Sequence, residues 1–165
     1  MRVFKILIDT REQLPFFIDK VGDPDFPGLQ IDFAALKTGD YSLENMNTPT
    51  CPHSICIERK SLDDLFGSTG KGRKRFEREF ERMSEFDHAE LVVENDLRAV
   101  FQTPPPMSQM VPKSVYRTIM AWSQRYGVPA WFCPSRTFAE RHIYLSLRRF
   151  WLDRQPDGFM EFNKL

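Results

Sequence analysis

Residues 55–64, Ile-Cys-Ile-Glu-Arg-Lys-Ser-Leu-Asp-Asp, end an apolar run with a carboxylate and an ammonium two positions apart. Side chains of an extended strand alternate between faces, so Glu58 and Lys60 share a side with Cys56, while Ile55, Ile57 and Arg59 take the other. Two earlier segments also finish in acids: Ile6-Leu7-Ile8-Asp9-Thr10-Arg11-Glu12 and Lys37-Thr38-Gly39-Asp40. If the three segments are neighbours, Asp9, Asp40, Glu58 and Asp64 converge beside Lys60. Two carboxylates about 4 Å apart repel by about 4 kcal/mol at an effective dielectric of about 20, and a divalent cation relieves that repulsion. Hard oxygen ligands without clustered histidine suit Mg2+ or Mn2+ better than zinc. The chemistry of such a centre is activation of water for hydrolysis.

Each residue also has a plainer role open to it. Ser61 has the position of a helix N-cap, which makes Asp64 a capping-box acid at the third helical residue. Asp40 can be a turn acid after Gly39, Asp9 a partner for Arg11, and Glu58 with Lys60 a surface ion pair worth under about 1 kcal/mol. Four such coincidences in one order are less economical than one site.

The elements that position these residues follow from periodicity. A short helix after Ser61 carries Leu62, Leu65 and Phe66. The glycine-rich basic stretch Gly67 to Arg75 then feeds a helix to about Phe86, with Phe76, Phe80 and Met83 as its buried stripe. Ser68, Lys71, Arg73, Arg75 and Arg78 form a basic surface next to the acids, suited to phosphate; Arg82 continues the line of Arg75 and Arg78. The alternative is a solvated face with Arg73–Glu77 and Arg75–Glu79 pairs. Upstream, Gln13 to Gly28 reads as a proline-punctuated loop, Leu29 to Leu36 as a half-buried strand, and Tyr41 to Glu44 as another, together an antiparallel section. Downstream come a buried strand at Ala89 to Glu94, a helical piece from Asp96 to Gln102, a proline loop to Pro112, a helix from Ser114 to Tyr126, a strand at Pro129 to Cys133, and a helix from Thr137 to Leu152. On that last helix Tyr144 and Trp151 fall off the buried stripe, either as an exposed aromatic pair suited to an interface or as part of a wide apolar face wrapped onto the core.

The set Gly39-Asp40, Glu58-Arg59-Lys60 and Asp64, preceded by Asp9-Thr10-Arg11-Glu12, resembles the nuclease domain of the XPF/Mus81/Hef family of structure-specific endonucleases. The likeness spans about Asp9 to Trp151, without the tandem helix-hairpin-helix domain that usually follows there. It implies an α/β fold of the restriction-endonuclease type, a mixed central sheet flanked by helices. It further implies Mg2+ or Mn2+ held by Asp40, Glu58 and the Arg59 backbone carbonyl, with Asp9 and Asp64 completing or tuning the site, and Lys60 orienting or deprotonating the attacking water. Arg11 would contact a phosphate oxygen. The substrate class implied is branched, flapped or distorted DNA, and the assembly implied is a homodimer. The rival readings are a catalytically inactive nuclease fold that binds DNA or a partner, and a resolvase or restriction-type nuclease.

Composition sets the outer limits. At 165 residues, 41% hydrophobic, the chain suits a single domain over 1–165, with a motif core at 9–94 and C-terminal helices at 112–152. With 23 basic and 23 acidic residues, nucleic acid must be held by a local patch and not by net charge. No apolar run approaches the roughly 18 residues that span a bilayer, and the expected compartment is the cytoplasm. Three cysteines imply no disulfide framework. Cys51, His53 and Cys56 have no common zinc spacing and read as part of a polar hairpin.

Overall fold

The computed structural model describes residues 3–155; Met1 and Arg2, expected to open the first strand, and residues 156–165 lie outside the described part. Six strands form one sheet: β1 (Lys5–Asp9), β2 (Gln30–Ala34), β3 (Tyr41–Leu43), β4 (Ile55–Lys60), β5 (His88–Val93) and β6 (Ala130–Phe132), in the order β2-β1-β3-β4-β5-β6. Only β3 runs against its neighbours; the β1–β2, β4–β5 and β5–β6 pairs are parallel. This corrects the antiparallel expectation for β2, which pairs with β1 in the register Lys5↔Gln30 to Asp9↔Ala34. The connection between them is long enough to cross the sheet and return, and it is anchored by Phe16, Phe17 and Phe26, all buried. As an edge strand, β2 leaves Phe33 48% exposed.

Two cores sandwich the sheet. Ile55 and Ile57 face α5 (Arg136–Leu152) and the 16–29 connection. Cys56 faces α1 (Leu62–Thr69), α2 (Arg73–Met83) and α4 (Pro112–Tyr126). The alternation along β4 therefore carries Glu58 and Lys60 to the α1/α2 side and Arg59 to the α5 side. Phe76, Phe80 and Met83 are the buried stripe of α2 as its spacing requires, and α2 ends at Met83 instead of reaching Phe86. Helix α4 starts two residues earlier than expected, with Pro112 in its first turn, where a missing N–H costs nothing. Between β5 and α4, α3 (Leu97–Gln102) is capped by the Asp96 carboxylate on the Ala99 amide.

Of the two readings of the α5 aromatics, the structure takes the wide apolar face over the exposed pair. Tyr144 is fully buried, with its hydroxyl donating to the Pro27 carbonyl at 2.8 Å, and Trp151 is partly buried with its ring against Phe4. The apolar face of α5 is wider than one stripe because the 16–29 connection wraps it, so the two aromatics are core and not an exposed pair. No helix among the described residues is long and apolar enough to cross a membrane.

Candidate functional site

The acids meet where three strands are stitched together at one residue. The backbone amide of Asp40 donates to the Ile57 carbonyl at 2.8 Å, and its carbonyl accepts from the Asp9 amide at 2.9 Å. This joins the end of β1, the approach to β3 and β4. Gly39 makes the turn: its φ of +75° suits glycine, and a Cβ there would lie 3.0 Å from the Ile57 carbonyl oxygen. Beside the junction opens a cleft of about 680 Å³, at the carboxyl edge of the five co-directional strands.

Asp40 and Glu58 both line it. Asp40 accepts the Arg59 backbone amide on Oδ2 at 2.8 Å. Burial, then the charge of Glu58, pushes its pKa up to about 8. Glu58 is 7% exposed; burial raises its pKa too, against the pull of Lys60 and with a push from Glu79. Lys60 donates to Glu58 Oε1 and sits over the Phe76 ring at 5.2 Å. Burial alone would depress the Lys60 ammonium, but Glu58, Asp40 and Asp64 more than offset this and hold its pKa above the ordinary lysine value. The site is thus a part-buried Asp40 beside a buried Glu58, an acid pair whose burial and mutual repulsion outweigh the one ammonium of Lys60.

Asp9 and Asp64 line the same cleft with their carboxylates already engaged. Asp9 accepts from the Arg11 amide at 2.7 Å, from Arg11 Nε and Nη2 at 2.8 Å each, and from the Leu36 amide at 2.8 Å. Burial works against its ionisation, yet these donors bring its pKa below the usual aspartate value. Asp64 completes the Ser61 N-cap in place of a full capping box: its amide donates to Ser61 Oγ, and its Oδ2 accepts from that hydroxyl, not from the Ser61 amide, at 2.7 Å. Among the described residues no three His, Cys, Asp or Glu side chains form a ready cage for a metal ion. That covers Cys51, His53 and Cys56, of which Cys56 is buried in the core.

A divalent cation nevertheless fits the donor set. The two acids that resist ionisation are adjacent and all-oxygen, and the cleft is open to solvent. The Arg59 carbonyl faces the edge of β4 that Asp40 adjoins, because Ile57 O and Lys60 O accept from opposite neighbours, Asp40 and Glu94, and carbonyls alternate along a strand.

The expected DNA-contacting residues separate into two groups. Arg11, Ser68 and Arg75 line the cleft, joined by Lys37 and Arg82. Lys71, Arg73 and Arg78 stand outside it. Arg73 turns to α4, donating to Thr118 Oγ1 at 2.7 Å and lying 4.9 Å over the Trp122 ring. Neither intrahelical pair anticipated for α2 forms: Glu79 pairs with Arg82, and Glu77 with Arg125 at 3.1 Å.

The motif did not disclose Glu79 as a member of the site. It lines the cleft and accepts the Gly39 amide at 3.3 Å, tying α2 to the turn that carries Asp40. Nor did it disclose the lattice on the α5 side, where Arg59 binds Glu12 at 2.6 Å and also Glu94, and Glu94 binds Arg136 at 2.6 Å. These partners lie 35 to 47 residues apart, beyond any local spacing signal.

Comparison with known proteins agrees with this geometry. The family model of the ERCC4 domain matches residues 8–145. The chain belongs to the ERCC4 domain family, that of the XPF nuclease domain. Among solved structures it is similar to XPF from Aeropyrum pernix, with a TM-score of 0.64 and 21% identity over 96% of this chain and 69% of that one. It is also similar to the same protein in complex with DNA, with a TM-score of 0.58 and 19% identity over 93% and 67% of the two chains. At these identities the structural likeness speaks for the fold. Comparison with curated proteins found no match.

Proposed function

We propose that this ERCC4-family chain is a metal-dependent endonuclease that hydrolyses phosphodiester bonds in branched, flapped or otherwise distorted DNA. The observation that carries this reading is the pair of part-buried Asp40 and buried Glu58, both with pKa values raised, beside Lys60 in an open cleft. Asp40, Glu58 and the Arg59 carbonyl would hold Mg2+ or Mn2+, with Asp64 at the rim and Asp9 acting through Arg11. When bound, the cation polarises the scissile phosphate and lowers the pKa of its water.

The chain's own groups supply the rest. Lys60 enters as an ammonium and orients the attacking water or an equatorial phosphate oxygen by donating a hydrogen bond. Arg11 spends Nε and Nη2 on Asp9 and the Leu36 carbonyl, which leaves Nη1 for a phosphate. Arg75, with no ion pair among the described residues, is the strongest phosphate contact on α2, and Arg78, Lys71 and Ser68 flank it. Arg73 contributes by holding α2 to α4. We read the assembly as a homodimer, since one small domain offers a short DNA footprint, and Trp131 and Phe138 leave apolar surface exposed, at 48% and 62%. Light scattering should then give two chains per particle, and a strict monomer would oppose the reading.

Incubation with labelled duplex, flap, fork and four-way DNA tests the activity. Cleavage of a branched substrate in Mg2+, absent in EDTA, supports it; binding without cleavage returns the chain to an inactive DNA-binding module.

A further inference from the structure

At the mouth of the cleft stands one exposed apolar side chain. Of the large apolar residues that line it, Phe76 is 4% exposed beneath Lys60, whereas Leu14 is 65% exposed. A single exposed leucine on a surface calls for no explanation by itself. What distinguishes Leu14 is how its backbone is held. Its amide donates to Glu12 Oε1 at 3.0 Å, and its carbonyl accepts from Arg136 Nη2 at 2.6 Å. Glu12 and Arg136 are the two ends of the part-buried lattice through Arg59 and Glu94. Both guanidiniums also lie over the Phe16 ring, Arg59 at 5.4 Å and Arg136 at 4.3 Å. The lattice fixes both sides of the Leu14 peptide and leaves its isobutyl group in an otherwise polar cleft.

The reading of the cleft as a DNA nuclease site narrows what that group can meet. Phosphates are taken up by cations such as Arg11 and Lys37, which line the same cleft. The apolar surface of DNA is the base face, and stacking hides it in continuous duplex. It becomes available at a branch, where apolar side chains, leucine among them, act as wedges against unstacked bases. A wedge on a pre-fixed backbone loses little conformational freedom on binding.

We infer that Leu14 packs against an unstacked base at the branch point and biases the cleft toward branched over continuous DNA. The test uses the full chain in Ca2+ or EDTA, with fork and duplex of one sequence carrying 2-aminopurine at the branch position. The parent should bind the fork more tightly and raise the 2-aminopurine fluorescence. Leu14→Ala should keep its duplex affinity, lose about tenfold in fork affinity, the order expected for one apolar side chain, and lose the fluorescence rise. Leu14→Phe should retain both. Undiminished fork preference and fluorescence in Leu14→Ala would overturn the inference, as would a parent that cuts DNA in Mg2+ but binds fork and duplex alike. A parent that cuts no DNA in Mg2+ fails at the nuclease reading instead, which the cleavage assay reports separately.

Discussion

Asp40 Oδ2 accepts the backbone amide of Arg59 at 2.8 Å, so the acid on the β3 turn is aimed by the strand that carries Glu58. The contact sets the pair's geometry without neutralising it, because the Arg59 guanidinium itself is spent on Glu12 and Glu94 on the other face. An acid pair only partly compensated by Lys60 has measurable consequences.

The first is a pH dependence. Asp40 has a folded pKa raised from 3.8 to about 8, so the folded state binds a proton that the unfolded chain releases. Metal-free stability should fall as pH rises through that window. Asp40→Asn keeps an acceptor for the Arg59 amide and removes the charge. In EDTA at pH 9 it should melt above the parent, at about 2–4 °C for each kcal/mol relieved. A lower melting temperature across the whole window would show that the carboxylate is needed for the fold.

Asp9 predicts the opposite sign. Its pKa is lowered, so its ionised form contributes stability above the ordinary aspartate range, and that contribution is lost as pH falls. Asp9→Asn sets an amide against some of the N–H donors that now surround the carboxylate and should cost about 1–3 kcal/mol near neutral pH. Denaturant melts of Asp9→Asn and Asp40→Asn should move in opposite directions, and parallel shifts would erase the distinction between the two acids.

Two arginines on α2 should separate by assay. Arg75→Ala should weaken DNA binding across sequences and reduce the salt slope by about 1, with little change in melting. Arg73→Ala loses its contacts with Trp122 and Thr118 and should chiefly lower the melting temperature. A salt slope unchanged in Arg75→Ala would return that residue to a solvated role.

The motif residues were legible because strand alternation and capping are local rules. Alternation along Ile55 to Lys60 put Glu58 and Lys60 on one face, and the Ser61–Asp64 spacing marked the start of α1. The same rules could not show which acids would be free, since that depends on partners brought in by the fold: the Leu36 amide for Asp9 and Glu79 beside Glu58. Periodicity misjudged Tyr144 because the connection that covers it has none of its own. Parallel pairing of β2 was hidden for the same reason, as direction is set by that irregular crossover and not by the strand's composition. The likeness to the XPF-type nuclease domain supplied the mixed sheet flanked by helices, and the strand order and the Glu12–Arg59–Glu94–Arg136 lattice lay outside it.

Titration of Mn2+ into the DNA-free protein, with free Mn2+ followed by its paramagnetic resonance signal, tests the central claim most directly. If Asp40 and Glu58 are the cation's carboxylate ligands, the parent should deplete the free signal, and Asp40→Asn and Glu58→Gln should each weaken binding by about tenfold or more. Binding as tight in both variants as in the parent would contradict the assignment.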